Sequence, residues 1–284
     1  MLFRSLSFFN QVWKQISPKR QLQILGRLIE LAEDTPELNF DAIFKHRLQD
    51  PNEEVRSKAI EGLWENEETS LIEPLIKIMQ NDPSMKVRQD AAIALGRFTM
   101  LAEHKKIRSD YTPLLCKALL DTFHNTEDVD LKRRALEAAS PLSIPQVEHA
   151  ISQTYQSDNI KLKASAIYAM GKNCNQDWIN ILIKELSNPV AEIRYEAAGA
   201  CGELGEDIAT PYLIEIVNDD DIDVQIAAIQ ALGKIGNDEA KERLELCLKD
   251  KSQAIREAAE QALEDIETLS DPGSIPFFNI GRPE

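Results

Sequence analysis

What this sequence lacks removes several classes of protein at once. Its four cysteines, Cys116, Cys174, Cys201 and Cys247, include no CxxC pair, so neither a disulfide framework nor a metal knuckle has the spacing it needs. That usage suits a reducing, cytoplasmic setting. No apolar run approaches the ~20 residues that span a bilayer. There is no glycine loop of the kind that cradles phosphate and no nucleophile elbow. Basic excess is missing too: 32 Lys and Arg stand against 48 Asp and Glu, a net charge of −16. Residues 1–142 hold 20 basic against 22 acidic residues (−2), and residues 143–284 hold 12 against 26 (−14). The C-terminal half would repel a phosphate backbone, which requires a basic stripe. Nucleic acid is not the expected partner.

What is present is a repeat. Seven aliphatic anchors, Val55, Val87, Leu131, Leu162, Ile193, Val224 and Ile255, are each followed four positions later by alanine: Ala59, Ala91, Ala135, Ala166, Ala197, Ala228 and Ala259. From Leu131 onward each anchor-to-anchor step is 31 residues. A period of 20–50 residues means stacked supersecondary units. Offset +7 is again small (Gly62, Ala94, Ala138, Ala169, Ala200, Ala231, Ala262), and offset +8 is mostly a larger apolar residue. Offsets 0, 4, 7 and 8 fall on one stripe of an α-helix, where alanine lets neighbouring helices approach. Gly96, Gly171, Gly202 and Gly233 follow, and suit the left-handed residue that ends a helix.

Five residues before each anchor stand Asp50, Asp82, Thr126, Ser157, Asn188, Asp219 and Asp250, all side chains that cap helix N-termini. Pro51 and Pro83 fit the first helical position. Between these helices lie second amphipathic segments, such as residues 70–80 and 207–217. Ser70 with Glu73 forms a capping-box pattern, and Thr210-Pro211 marks another helix start. Each unit is thus a helix, a turn and a helix. One such hairpin cannot bury its apolar face alone, so the units must stack. Cys201 and Cys247 fall on core stripes and read as small buried hydrophobes.

The string Asp82-Pro83…Val87-Arg88…Ala91-Ala92…Ala94-Leu95-Gly96 resembles a HEAT repeat, and the 31-residue period is similar to the phycobilisome-lyase type of HEAT-like repeat. The resemblance covers about residues 41–267. It implies an all-α, right-handed α-α superhelix of about seven hairpins, with residues 1–40 as N-terminal capping helices and 268–284 as a tail. It also implies a structural ladder in which the basic residue after each anchor meets the cap residue of a neighbouring turn. The ladder residues are Asp50, Arg56, Asp82, Arg88, Asn188, Arg194, Asp250 and Arg256, with Lys132 and Lys163 in the same register. Gln225 breaks the series.

In such solenoids the second helices line the concave surface. Offsets +2, +3 and +6 point away from the core stripe, placing Ile93, Arg133, Arg134, Glu137, Tyr168, Tyr195, Glu196, Ile226, Ala227 and Gln230 there. Exposed Tyr, Ile and Arg resemble the anchors of protein interfaces. The expected function is a non-enzymatic scaffold or adaptor in a bacterial cytoplasm that binds another protein, with no cofactor. Its rivals are a bilin lyase-like or chromophore-handling chaperone, and a membrane-peripheral adaptor using residues 1–16. None of His46, His104, His124 and His149 is followed by glutamate, so the His-Glu metal pairs of the HEAT-like hydroxylases are missing. Asp219, Asp221 and Asp223 imitate the start of a calcium loop, but Val224 and Gln230 stand where glycine and glutamate are required. A capped first turn explains them.

The two ends and one irregularity complete the reading. Leu2, Phe3, Leu6, Phe9, Trp13 and Ile16 recur at helical spacing, a pattern for a cap over the first unit, for a helix that docks on a partner or, with Arg4, Lys14 and Lys19, for a membrane-surface helix. Ile275, Phe277, Phe278 and Ile280 make the tail too apolar for a plain disordered end, so it either folds back on the last repeat or inserts into another protein. Glu260 and Glu264 mark the last unit as terminal. Between Val87 and Leu131 there are 13 residues more than the period allows. They centre on residues 99–110 with His104, Lys105, Lys106 and Arg108, and read as an extended loop or a partner contact.

Overall fold

The alanine four positions past each anchor decides how closely the helices pack. In the computed structural model, which describes residues 2–35 and 37–270 (side chains 8–35 and 37–268), all seven of these alanines are 0% exposed. Every regular element among the described residues is helical. The protein is an all-α solenoid, and it divides into two compact units, Met1–Ala150 and Ile151–Glu284.

In the first unit, α1 (Leu2–Trp13) and α2 (Pro18–Asp34) precede three hairpins. These are α3 (Asp41–Arg47) with α4 (Glu53–Glu61), α5 (Ile72–Asn81) with α6 (Met85–Glu103), and α7 (Tyr111–Asn125) with α8 (Val129–Ala139). The boundary falls in α9 (Pro145–Tyr155). In the second unit, α10 (Ile160–Asn173) is followed by α11 (Ile179–Glu185) with α12 (Ala191–Leu204), α13 (Thr210–Ile216) with α14 (Ile222–Ile235), and α15 (Asp238–Cys247) with α16 (Gln253–Ser270). Each second helix packs on the next within its unit, α4 on α6 on α8 and α10 on α12 on α14 on α16. The small side chains at offsets +4 and +7 make that seam. Cys201 on α12 and Cys247 at the end of α15 are both buried. Apolar surroundings push the Cys201 thiol up to about 12.

Several local expectations need correction. The seven residues five before the anchors do not cap the helices. Each accepts instead from the backbone N–H two residues on, at 2.7–3.2 Å. The chain must reverse between the two helices of a hairpin, and an Asx or Ser/Thr turn closes that reversal. The N-caps come two residues later, at Asn52, Ser84, Asp128, Asn159, Val190 and Asp221. Of these, Asn52, Asp128, Asn159 and Asp221 hold helix N–H groups with their side chains. Pro51 and Pro83 therefore lie in the turn rather than in the helix. Ser70 falls in a single 3-10 turn before α5 and bonds Glu68, so the capping box does not form.

The trailing glycines do not end helices either. Gly96, Gly171, Gly202 and Gly233 lie inside α6, α10, α12 and α14. A Cβ on Gly171 or Gly202 would stand 2.7 Å from the Cα of Ala200 or Ala231, and one on Gly233 2.7 Å from the Cβ of Ala262. Close approach of the next helix is what requires glycine there. The ends come three residues later, at Cys174 (φ +55°), Gly205 and Gly236 (both φ +66°).

The 13 extra residues are not an extended loop. They lengthen α6 to 19 residues and α7 to 15, because Phe98, Thr99, Leu101 and Ala102 continue the buried stripe. Thr99 Oγ1 also donates to the Ala138 carbonyl at 2.6 Å. His104, Lys105, Lys106 and Arg108 sit exposed in the short connection that remains.

At the N-terminal end, Trp13 is buried against the first hairpin. Its Nε1 donates to Asp50 Oδ2 at 2.8 Å, and the Arg47 guanidinium lies 5.0 Å from the ring centroid. Gln21 Nε2 secures the Trp13 carbonyl from α2 at 2.9 Å. On α16, Glu260 and Glu264 are exposed. The apolar tail residues Ile275, Phe277, Phe278 and Ile280 lie outside the described residues.

Candidate functional site

Once the stripe at offsets 0, 4, 7 and 8 is buried, helical geometry turns offsets +2 and +6 outward. In the second unit these positions come from α10, α12 and α14. Tyr168 is 38% exposed and Tyr195 45%, Gln230 is exposed, and Ile226 and Glu196 are half-buried. Ala227, placed on this face from the sequence, is 4% exposed: a methyl group at offset +3 is too short to clear the neighbouring helix. At offset +6 of α12, one helical turn past Tyr195 and in the register of Tyr168 on α10, stands Gly199. A Cβ there would meet no heavy atom within 4 Å, unlike those of Gly171, Gly202 and Gly233. A helix-interior glycine costs about 0.5–1 kcal/mol relative to alanine. Packing within the chain does not repay that at Gly199.

One helical turn further on, a row of charges crosses the same three helices. Glu203 Oε1 receives Lys172 Nζ at 3.0 Å and Lys234 Nζ at 2.7 Å. Burial alone would raise the Glu203 carboxyl, but the hydrogen bonds from Lys234 and Lys172 outweigh it and hold it below the usual carboxylate range. Lys172 also lies 5.8 Å from the Tyr168 ring centroid, which orients that ring. These three residues and Gly199 escaped the sequence reading. The signal was there, since 172, 203 and 234 are 31 apart, but the alignment stopped short of offset +10.

In the first unit, Ile93 on α6 is 51% exposed. On α8 the charges lock one another: Arg133 pairs with Asp130 at 3.2 Å and Glu137 at 3.8 Å, and Arg134 with Glu137 at 2.7 Å. Such pairs within one helix contribute only about 0.3–0.5 kcal/mol each, so they chiefly fix side-chain positions.

In the ladder register, two arginines reach the aspartate of a neighbouring turn. Arg56 Nε and Nη2 donate to Asp82 at 2.8 and 2.7 Å, and Arg194 Nε and Nη2 to Asp219 at 2.7 and 2.6 Å. The Arg194 hydrogen bonds hold Asp219 below the usual carboxylate range. Arg56, Arg194 and Arg256 each also donate to the carbonyl six residues back in their own turn, from Asp50, Asn188 and Asp250. Gln225 keeps that own-turn bond to Asp219. Arg88 departs from the ladder: the turn it would reach offers Thr126, which has no carboxylate, and its Nε donates to the Met79 carbonyl at 2.8 Å. Lys132 lies over the Phe123 ring. Lys163 turns to Glu185 at 3.0 Å rather than to Asn188, which bonds the same carboxylate at 2.6 Å. Tyr155 donates its hydroxyl to Glu185 as well. Burial and the Glu185 charge raise the Tyr155 phenol well above its ordinary value. Burial would raise Glu185, yet its bonds from Tyr155, Lys163 and Asn188 bring it below the ordinary value.

Asp219 and Asp221 are thus a rung and an N-cap, and among the described residues no group of three His, Cys, Asp or Glu side chains is gathered as metal ligands. No helix among the described residues is long and apolar enough to cross a membrane.

The chain belongs to the HEAT-repeat family: HEAT repeats are matched over residues 41–140, 147–224, 179–264 and 210–278. No curated protein matches the sequence. Among solved structures, the chain is similar to the complex of CpcE and CpcF of phycocyanin lyase from Nostoc sp. PCC7120. That likeness has 20% identity and a TM-score of 0.57, over 82% of this chain and 89% of that one. It is also similar to YibA of E. coli, with 17% identity and a TM-score of 0.49 over 89% and 97% of the two chains. Human deoxyhypusine hydroxylase follows, with 16% identity and a TM-score of 0.40 over 88% and 98%. At these identities the likeness is one of fold. The phycocyanin-lyase neighbour accords with the phycobilisome-lyase resemblance read from the repeat.

Proposed function

We propose that this HEAT-repeat chain is a non-enzymatic, cytoplasmic scaffold that binds a partner protein on the outward face of α10, α12 and α14. The observation that carries the reading is Tyr168 and Tyr195 standing exposed on adjacent helices, α10 and α12. Tyrosine presents a large, stiff, amphipathic contact surface, and interface hot spots are enriched in it. The anchors Ile193 and Val224 and the +4 alanines Ala166, Ala197 and Ala228 beneath the face are buried, so little ordering entropy is lost when a partner arrives. Glu196, Ile226 and Gln230 extend the face. In the first unit Ile93, Arg133, Arg134 and Glu137 form a second outward set. Residues 1–40 serve as the N-terminal cap through Trp13.

The test is affinity purification from the native cell with the Tyr168→Ala/Tyr195→Ala double variant. A hot-spot side chain is worth about 2 kcal/mol or more, roughly thirtyfold in affinity. The partner should therefore be lost while the thermal melt stays nearly unchanged. Full retention of the partner removes the reading. A persistent visible band after incubation with phycocyanobilin would replace it with the chromophore-handling one. A membrane role has one observation in its favour, the exposed Phe8 and Val12 on α1. Liposome flotation with and without residues 1–16 decides that case.

A further inference from the structure

Net charge changes sign at one end of the chain. Residues 1–29 carry five basic residues, Arg4, Lys14, Lys19, Arg20 and Arg27, and no Asp or Glu, whereas residues 30–284 carry 27 Lys and Arg against 48 Asp and Glu. The same stretch holds an unpartnered apolar face. On α1, Asn10 and Trp13 turn toward the first hairpin: Asn10 Oδ1 accepts from Arg47 Nη2, and Trp13 Nε1 donates to Asp50. Phe8 and Val12 lie one turn apart, about 150° round the helix from that pair, and are 67% and 40% exposed. Just beyond α1, Lys14, Lys19 and Arg20 are exposed as well. Lys14 and Lys19 enter no ion pair among the described residues, and Arg20 donates to the neutral Gln23 amide. Asp50, the carboxylate beside Trp13, is buried and engaged by Trp13 and Arg47. The acids of α2, Glu30, Glu33 and Asp34, begin about 15 Å further along its axis than Arg20, beyond the ~8 Å Debye length of physiological salt.

We propose that this end is a docking surface for an anionic lipid bilayer, with Phe8 and Val12 entering the headgroup boundary and Lys14, Lys19 and Arg20 lying against the acidic headgroups. The inference adds to the scaffold reading and uses none of its residues: α10, α12 and α14 keep their partner while α1 holds the molecule at a membrane. A helix lying in the interface needs aromatic or aliphatic side chains on one side and basic residues close by, and both are here. A protein partner would have to supply pockets matched to these two side chains, whereas a fluid bilayer accepts them at any spacing. Charge selects the end that touches. Residues 30–284 are repelled by an acidic surface, and residues 1–29 are drawn to it. With two apolar side chains and three exposed cations the contact is reversible, since stable anchoring takes stronger signals.

The test is flotation of the full chain with phosphatidylcholine vesicles, with and without phosphatidylserine. The chain should float with the phosphatidylserine vesicles at low salt, bind phosphatidylcholine alone about tenfold more weakly or less, and be released by high salt. Each basic residue near such a surface is worth about fivefold in binding, so Lys14→Glu/Lys19→Glu should weaken it by about 25-fold or more. Phe8→Ser/Val12→Ser should weaken it by about tenfold or more. All four side chains are exposed, so both variants should keep the wild-type thermal melt. Tyr168→Ala/Tyr195→Ala should float as the wild type does, so failure of the scaffold reading leaves this one standing. No flotation with phosphatidylserine, equal flotation with phosphatidylcholine alone, or undiminished flotation of either α1-end variant overturns the proposal. Binding to polyglutamate without binding to either vesicle would assign the surface to an acidic protein and overturn it as well.

Discussion

The two units use the same hairpin under different discipline. In the second, the anchors Leu162, Ile193, Val224 and Ile255 keep a strict 31-residue step, and each step reproduces one close contact, glycine of one helix against alanine of the next. In the first, the steps are 32 and 44 residues, and the matching contact, Gly96 against Ala138, is looser at 3.3 Å. Charge divides in the same way. Residues 1–150 hold 20 basic and 23 acidic residues, while residues 151–284 hold 12 and 25. In a stack whose stability is a sum over neighbouring interfaces, a strict period copies one good interface at every step. The irregular unit absorbs its extra residues by lengthening a hairpin.

The largest break in this comparison should come from acid. Asp219, Glu185 and Glu203 all belong to the second unit, and their partners hold all three below the ordinary carboxylate range. A carboxylate with a depressed folded pKa contributes stability above its unfolded value, about 4, and loses it as pH falls through the folded value. The depressed groups of the first unit, Glu68 and Asp110, are exposed, where ion pairs contribute little. Between pH 4 and pH 2 the second unit should therefore open first. Pulsed amide exchange at fixed pH, after incubation at each acid pH, reads the two units separately. Simultaneous opening, or earlier opening of residues 2–150, would contradict the assignment.

Next in size is the rung. Arg194→Ala leaves the Asp219 carboxylate, 8% exposed, with only the Asp221 N–H and without the two hydrogen bonds from the guanidinium. Orphaning a largely buried charge costs about 3 kcal/mol. Arg56→Ala should cost about the same in the first unit, because Arg56 and Asp82 share that geometry. Arg88→Ala gives up one bond to a carbonyl and should cost about 1 kcal/mol. Urea unfolding separates the three. Equal losses would mean that the carboxylate adds nothing.

The glycines give a smaller and more pointed contrast. Gly202→Ala forces a methyl group into the Ala231 backbone, an overpacking of about 1–3 kcal/mol that better helix propensity offsets by about 1. Gly96→Ala, with its extra half ångström, should lie within about 0.5 kcal/mol of wild type. Gly199→Ala should raise stability by about 0.5–1 kcal/mol. A destabilised Gly199→Ala would show that this glycine serves the fold after all.

Period and side-chain size made the stacking legible in the sequence, and all seven +4 alanines are buried where the pattern put them. Turn chemistry was not legible at the same resolution. An aspartate that closes an Asx turn and one that caps a helix two residues later are the same letter in the same neighbourhood. Similarly, glycine after an apolar stripe fits a helix end and a close crossing equally well. Only the next helix distinguishes them. The long hairpin was misread because Thr99 looks polar, although its hydroxyl is satisfied by the Ala138 carbonyl. On the outward face the tyrosines could be placed by counting offsets. Gly199 could not, since what sets it apart is the empty space around it.

The smallest effect lies at the helix ends of the second unit. Cys174, Gly205 and Gly236 occupy one position in successive repeats, and all three have a left-handed backbone. A residue with a Cβ there costs about 1–2 kcal/mol. Glycine's greater freedom in the unfolded chain returns roughly 0.5–1 of that. Cys174→Gly should accordingly stabilise the protein by about 0.5–1 kcal/mol, and Gly205→Cys should destabilise it by a similar amount, since nothing surrounds a Cβ at Gly205. Chemical denaturation of the pair, monitored by circular dichroism, measures both. If Cys174→Gly proved less stable, the contact of its Sγ with the Gly171 carbonyl at 3.5 Å would outweigh the backbone strain, and strict repetition would not be the better state at this position.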